Sequence, residues 1–228
     1  MSIHTFDKLY FIHGWLFGSN IWTDIRPLFR NIASHQVVTL SGYSRHTNTD
    51  NDIDRINAII KHLKHNEVII AYSYGASLIM ASNYLKKCKA KIFLINPFFS
   101  PRKGSIKSLV SSLQSNYNES IKKFIYEAVK SKNSTKSNYS KLLESTKNQT
   151  IPTIDTLIDN LITLDKLNFS LDCGANICII QSMNDQINNL DIFHLMEKAN
   201  FNTFRVNNLP HYPFFNFQNI FNIIKSRI

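Results

Sequence analysis

Residues 67–81 read EVIIAYSYGASLIMA, and the reading of this stretch decides the fold. Val68, Ile69 and Ile70 form the continuous apolar run that a strand buried on both faces requires. Ala76, Leu78, Ile79 and Met80 then follow helical spacing. Between the two patterns the chain turns at Ala71-Tyr72-Ser73-Tyr74-Gly75. Ser73 is either a turn residue or a nucleophile held out on a sharp corner. A strained strand-to-helix corner needs small residues two places before and after the serine, because neighbouring backbone passes close by. Ala71 and Gly75 meet that need. The helix beginning beyond Ser73 offers backbone N–H groups and the positive end of its dipole where an oxyanion would form. Such a pentapeptide is common by chance, so its meaning rests on partners elsewhere in the chain.

A serine nucleophile on such a corner needs an acid and then a histidine, each in a loop after a later strand. The apolar run NICIIQ is followed by SMNDQINN, which places Asp185 at that strand's C-terminal end. The run NTFRV is followed by NNLPHYPFF, with His211 in a proline-bracketed loop before the last helical stretch. In this arrangement His211 takes and returns the Ser73 proton, while Asp185 holds the imidazole tautomer and stabilises the imidazolium. Asp185 could also be a turn former. The other candidates are weaker: His194 and Asp191 belong to a helical pattern, and Asp172 precedes its strand. The remaining histidines (His4, His35, His46, His62, His65) read as loop, terminal or solvated helix positions. An early strand runs into His13-Gly14-Trp15, which is placed to supply a second backbone N–H to an oxyanion. The backbone N–H groups of Trp15 and Tyr74 are thus the expected oxyanion donors, each typically worth ~3 kcal/mol. His13 is read as a structural hydrogen bonder that orients this loop. Trp15 and Phe17 are expected to line the substrate pocket, and Tyr72 either shapes that pocket or packs beneath its cover.

Around this centre, strands are expected at 8–12, 36–40, 67–71, 91–95, 176–181 and 202–206. Helices are expected from 21–29 onward and at 52–65, 75–88, 189–199 and 214–227. That alternation implies a mostly parallel sheet with helices on both faces. From about residue 104 the pattern is helical only, with stripes at Ile121, Phe124, Ile125, Ala128 and Val129, and at Ile154, Leu157, Ile158, Leu161 and Ile162. The expected organisation is one core, 1–103 and 169–228, interrupted by an inserted helical cap at 104–168.

The 228 residues are 43% hydrophobic and 12% aromatic, enough for a folded core. No apolar run approaches the roughly 20 residues of a membrane span, so no membrane insertion is expected. The N-terminal residues lack a basic-then-apolar export signal. Three cysteines (Cys88, Cys173, Cys178) without a CxxC spacing argue against a disulfide framework, and a cytoplasmic setting is expected. The net charge of +10 can attract an acidic partner, or it can follow from Lys, Asn and Ile being abundant throughout. Zinc-finger spacing, RNP-like strands and Arg-rich helices are missing from the sequence, so nucleic acid is not an expected partner. No metal or organic cofactor is implied.

With these residues in hand, the chain resembles the α/β-hydrolases, and within them the pimeloyl-acyl-carrier-protein methyl ester esterases of the BioH type. FIHGWLFGSNIWTDI is similar to that family's opening segment, and SGYSRH to its Pro-Gly-x-Gly-x-Ser loop with Ser41 for Pro and Ser44 for the second Gly. The stretch from Thr153 through Ile187 is similar to the end of the cap and the acid strand, and LPHYPFFNFQNIFNIIKSRI to the histidine loop and last helix. Ala71, Tyr72 and Tyr74 depart from the family's elbow. The resemblance implies hydrolysis of a carboxylic methyl ester through an acyl-enzyme, in biotin synthesis, by a monomer without cofactor. It also implies an acyl carrier protein as partner, docked through basic cap residues. Lys123, Lys136 and Lys141 fall roughly at those positions, in a segment that also carries Lys122, Lys130, Lys132 and Lys147. A merely solvated helix face is the other reading of these lysines.

Overall fold

The computed structural model describes residues 6–31, 34–43, 51–98, 105–131, 135–147, 149–150, 152–169, 176–198 and 201–228. His4, Ser44, His46, Lys132, Asp172 and Cys173 lie outside them. Among the described residues six strands form one sheet: β1 (Lys8–Ile12), β2 (Ser34–Val38), β3 (Glu67–Tyr72), β4 (Lys91–Ile95), β5 (Ile177–Ser182) and β6 (Asn202–Val206). Their order is β2-β1-β3-β4-β5-β6, and every pairing is parallel. β3 and β5 are buried along their whole length, which explains why they read as continuous apolar runs.

The strand order places the site. From β1 the chain moves outward to β2, then returns past β1 to β3 and runs in the opposite direction to β6. The loops leaving β1 and β3 therefore diverge and open a crevice at the C-terminal ends of these neighbouring strands, where open α/β sheets bind ligands. His13-Gly14-Trp15 and Ser73 are the residues at those two ends.

Right-handed crossovers running in opposite directions put helices on opposite faces. Helices α1 (Asp52–His62) and α2 (Ser73–Met80) pack on one another. Phe29, between β1 and β2, instead meets Phe221 of α8 (Gln218–Lys225) with ring centroids 5.1 Å apart. Helix α7 (Leu190–Lys198) joins β5 to β6. Between β4 and β5 stand α3 (Ser105–Ser115), α4 (Tyr117–Val129), α5 (Thr135–Lys147) and α6 (Ile154–Lys166). Helix α4 packs on α3 and α5, and α6 on α3 and α2. Ile121, Ile125, Ala128 and Val129 of α4 and Leu157, Ile158 and Leu161 of α6 are buried.

Three helical expectations change. The 21–29 segment is two short 3-10 turns, Ser19–Trp22 and Arg26–Phe29, because Pro27 at the start of the second cannot donate to a preceding turn. The 75–88 helix stops at Met80: the Ser82 hydroxyl and the Asn83 N–H donate to Oδ1 of the Asn57 side chain (2.7 and 3.2 Å), and the Ser82 hydroxyl takes the Tyr84 N–H. A 3-10 turn at Phe214–Asn216 precedes α8 in place of a helix from 214.

Candidate active site

Ser73 stands at the first position of α2 with φ of +50°, a left-handed conformation costly for a residue with a Cβ. That strain turns the side chain out of the strand direction. Its Oγ lies 2.9 Å from Nε2 of His211, and Nδ1 of His211 lies 2.7 Å from Oδ2 of Asp185. A carboxylate can only accept, so Nδ1 carries the proton and Nε2 presents its lone pair to the Ser73 hydroxyl. The carboxylate of Asp185 is saturated. Oδ1 accepts the N–H groups of Ile187 (2.8 Å) and Asn188 (2.9 Å), and Oδ2 accepts from Gln181 Nε2 (3.2 Å) as well as from His211. Asp185 and His211 are both buried.

The loop after β1 is pressed against this corner. A Cβ on Gly14 would stand 2.9 Å from the Tyr72 ring and 3.0 Å from Cβ of Ser73, so only glycine fits. Leu16 follows with φ of +66°. Buried His13 accepts the Leu40 N–H on Nε2 (3.0 Å), so its proton sits on Nδ1, which donates to the Gly14 carbonyl (2.9 Å). Burial holds this imidazole neutral, with its pKa lowered to about 4. His13 is thus a tie between the loop and the end of β2.

Trp15, Ser73 and Tyr74 line a cavity of about 580 Å³ that extends between the β-strand ends and helices α3, α4 and α6. The lining includes Phe98, Ile106, Leu109, Phe124, Leu161 and Leu164, and on α3 and α4 it turns polar with Ser108, Ser112, Asn116, Lys123, Glu127 and Lys130. Helices α3–α6 are tied to the core around this space. Trp15 Nε1 donates to the Leu157 carbonyl (2.9 Å), Gln149 Nε2 to the Leu16 carbonyl (3.1 Å), and the Tyr212 N–H to the Ala128 carbonyl (2.8 Å). The Trp15 and Phe124 rings meet edge to face at 4.7 Å.

Ser73, Asp185 and His211 are brought together, with Trp15 and Tyr74 beside them. Phe17 and Tyr72 are not in the cavity lining. Both are fully buried: the Tyr72 ring lies 5.4 Å from the His211 imidazole, and Phe17 packs on Tyr212 at 5.0 Å and on cavity-lining Phe124 at 6.0 Å. Tyr72 precedes the corner, and alternation along β3 turns it into the wall while the strained φ turns Ser73 out. Lys123 is exposed and lines the cavity; Lys136 and Lys141 are exposed on α5 outside the lining. Among the described residues, no group of three or more His, Cys, Asp or Glu could hold a metal, and no helix is long and apolar enough to cross a membrane.

The sequence reading missed Asn96, Ser77, Gln181 and Asn188. Ser77 Oγ accepts the Phe98 N–H (2.8 Å) and lies 3.1 Å from the Ser73 carbonyl, fastening α2 to the loop after β4. A helical serine on an otherwise apolar stretch was the only trace it left in the sequence.

No known family profile and no curated protein sequence matches the chain. Solved structures do. An esterase from Exiguobacterium antarcticum superposes with a TM-score of 0.78 at 14% identity, over 97% of this chain and 91% of that one. A thermophilic esterase from Thermogutta terrifontis gives 0.72 at 13% identity, over 97% and 89%. A lipase-esterase related protein from Clostridium acetobutylicum gives 0.72 at 16% identity, over 98% and 95%. At such identities the likeness speaks to architecture, and it agrees with the parallel sheet flanked by helices: the chain has the α/β-hydrolase fold.

Proposed function

We propose that this protein is a serine hydrolase of carboxylic esters. The observation that carries the reading is the chain of contacts from Ser73 Oγ through His211 to Asp185, opening on the 580 Å³ cavity. Ser73 Oγ attacks the ester carbonyl carbon as its proton passes to His211 Nε2. The negative charge forming on the carbonyl oxygen is met by the backbone N–H groups of Trp15 and Tyr74. Asp185 steadies the imidazolium. The tetrahedral adduct collapses, and His211 gives its proton to the departing alcohol. Water, deprotonated by His211, then releases the acid and restores Ser73. Wild-type protein should hydrolyse p-nitrophenyl acetate and butyrate and be labelled by a fluorophosphonate, whereas Ser73→Ala should do neither while keeping its far-ultraviolet circular dichroism. Undiminished turnover in that variant would refute the assignment.

The finer reading is the methyl ester of a pimeloyl chain borne by an acyl carrier protein. The cavity lining supports it: an apolar stretch beside Ser73 suits an alkyl chain, and the polar α3 and α4 surface with Lys123 and Lys130 suits the carrier end. Lys136 and Lys141 lend it no support, since they lie outside the lining. Complementation of a biotin auxotroph lacking its own methyl esterase tests this reading, with Ser73→Ala as control. Failure of expressed, esterase-active wild type would leave a general small-ester hydrolase.

A further inference from the structure

Asn96 directly follows β4, the strand between those that lead to Ser73 and Asp185, and it is fully buried with φ of +46°. Asparagine tolerates that left-handed conformation better than most residues with a Cβ. Its side chain spends every polar atom on the two loops of the site. Oδ1 accepts the Ser182 N–H (2.7 Å), while Nδ2 donates to Ser182 Oγ (2.9 Å) and to the His211 carbonyl (2.7 Å). Its own backbone carbonyl accepts from Asn188 Nδ2 (3.3 Å), and the Asn188 N–H is one of the two held by Asp185 Oδ1.

One side chain thus grips the base-bearing residue by its backbone and the end of the strand that leads to the acid. On the reading of Ser73, His211 and Asp185 as catalytic, we propose that Asn96 is a positioning residue that sets the distance between the histidine and aspartate loops. It does not touch the reacting atoms. Its loss frees the His211 loop to shift relative to Asp185 and Ser73, and displacements near 1 Å cost on the order of 100-fold in rate.

The test is Asn96→Gly, which accepts the positive φ without strain and removes only the side chain. With p-nitrophenyl butyrate, kcat should fall about 100-fold with KM within twofold. The acid limb of the kcat/KM profile should move, and the downfield proton resonance of the His211–Asp185 hydrogen bond should broaden or vanish. Ile220→Val, in the buried face of α8, is a destabilised control that should keep both signatures. If the glycine variant does not fold, Asn96→Asp keeps the acceptor for the Ser182 N–H and loses the donor to His211, and the same changes are expected. Wild-type kcat, pH profile and resonance in these variants would overturn the proposal. If Ser73→Ala is inactive in the same assay, that outcome rejects the role of Asn96 alone; an active Ser73→Ala rejects the underlying reading.

Discussion

The backbone carbonyl of His13 occupies the space that a Cβ on Gly75 would need, with Cγ2 of Ile12 at 2.7 Å from it. Helix α2 therefore starts in direct contact with the end of β1, and this contact sets how near the loop bearing Trp15 lies to Ser73. Gly75→Ala brings opposing effects. Alanine favours the helix by about 1 kcal/mol, whereas overpacking against atoms that cannot rotate away costs about 1–3 kcal/mol. Because the obstacle is backbone, the second effect wins. Urea unfolding should show a loss of up to about 2 kcal/mol, and kcat should fall more than KM rises. A variant more stable than wild type would disprove this account of the corner.

Tyr72 poses a different balance. Its ring packs against His211, but its hydroxyl is buried and has no hydrogen-bond partner among the described residues. Burial also drives its pKa well up, so the phenol stays protonated. An unsatisfied buried hydroxyl costs about 1–3 kcal/mol, and Tyr72→Phe removes it while keeping the ring. The variant should be as stable as wild type or more stable by about 1 kcal/mol, with chain-length preference across p-nitrophenyl esters unchanged. A shifted preference would return Tyr72 to the substrate pocket.

These two residues mark what the sequence could reveal. The corner at Ser73 was legible because backbone crowding there permits only small neighbours, and Asp185 and His211 were legible because loops after successive parallel strands converge in chain order. Phe17 and Tyr72 lie outside the cavity lining, and for Tyr72 the sequence leaves pocket and packing open, because an aromatic residue looks the same whether it lines a cavity or backs it. Asn96 left no pattern at all: its partner His211 is 115 residues away, and a single polar residue after a strand reads as a turn. Helical phase could have separated the lysines, since Lys136 and Lys141 are five residues and roughly 140° apart around α5.

His13 gives a pH prediction. Its pKa is lowered to about 4 in the folded protein from an ordinary value of 6.5, because burial opposes the charge. Between those values the unfolded chain binds a proton that the folded chain refuses. Stability from this source is complete above pH 6.5 and declines as pH falls toward 4, by about 3 kcal/mol in all. Urea midpoints measured at pH 7.5, 5.5 and 4.5 should fall more steeply for wild type than for His13→Gln, which does not titrate. Parallel curves for the two proteins would show that His13 accepts its proton while folded.

Lys123 of α4 and Lys130 just past its end line the cavity, as do Glu127 between them and Glu119, whose carboxylate is engaged by Lys122 at 2.7 Å. The two lysines are seven residues apart, about two helical turns, so they share one face. If an acidic carrier delivers the ester, these are the cations it meets at the cavity, while Lys136 and Lys141 lie elsewhere. Reversal of both to Glu should raise KM for a carrier-bound methyl ester about tenfold, since close like charges across an interface cost several times RT. Hydrolysis of p-nitrophenyl acetate should be unaffected, and raising salt from 50 to 500 mM should shrink the difference between the proteins. The Lys136→Glu, Lys141→Glu pair should change KM less than twofold. Equal effects of the two pairs, or equal losses on the free ester, would place carrier docking away from α4.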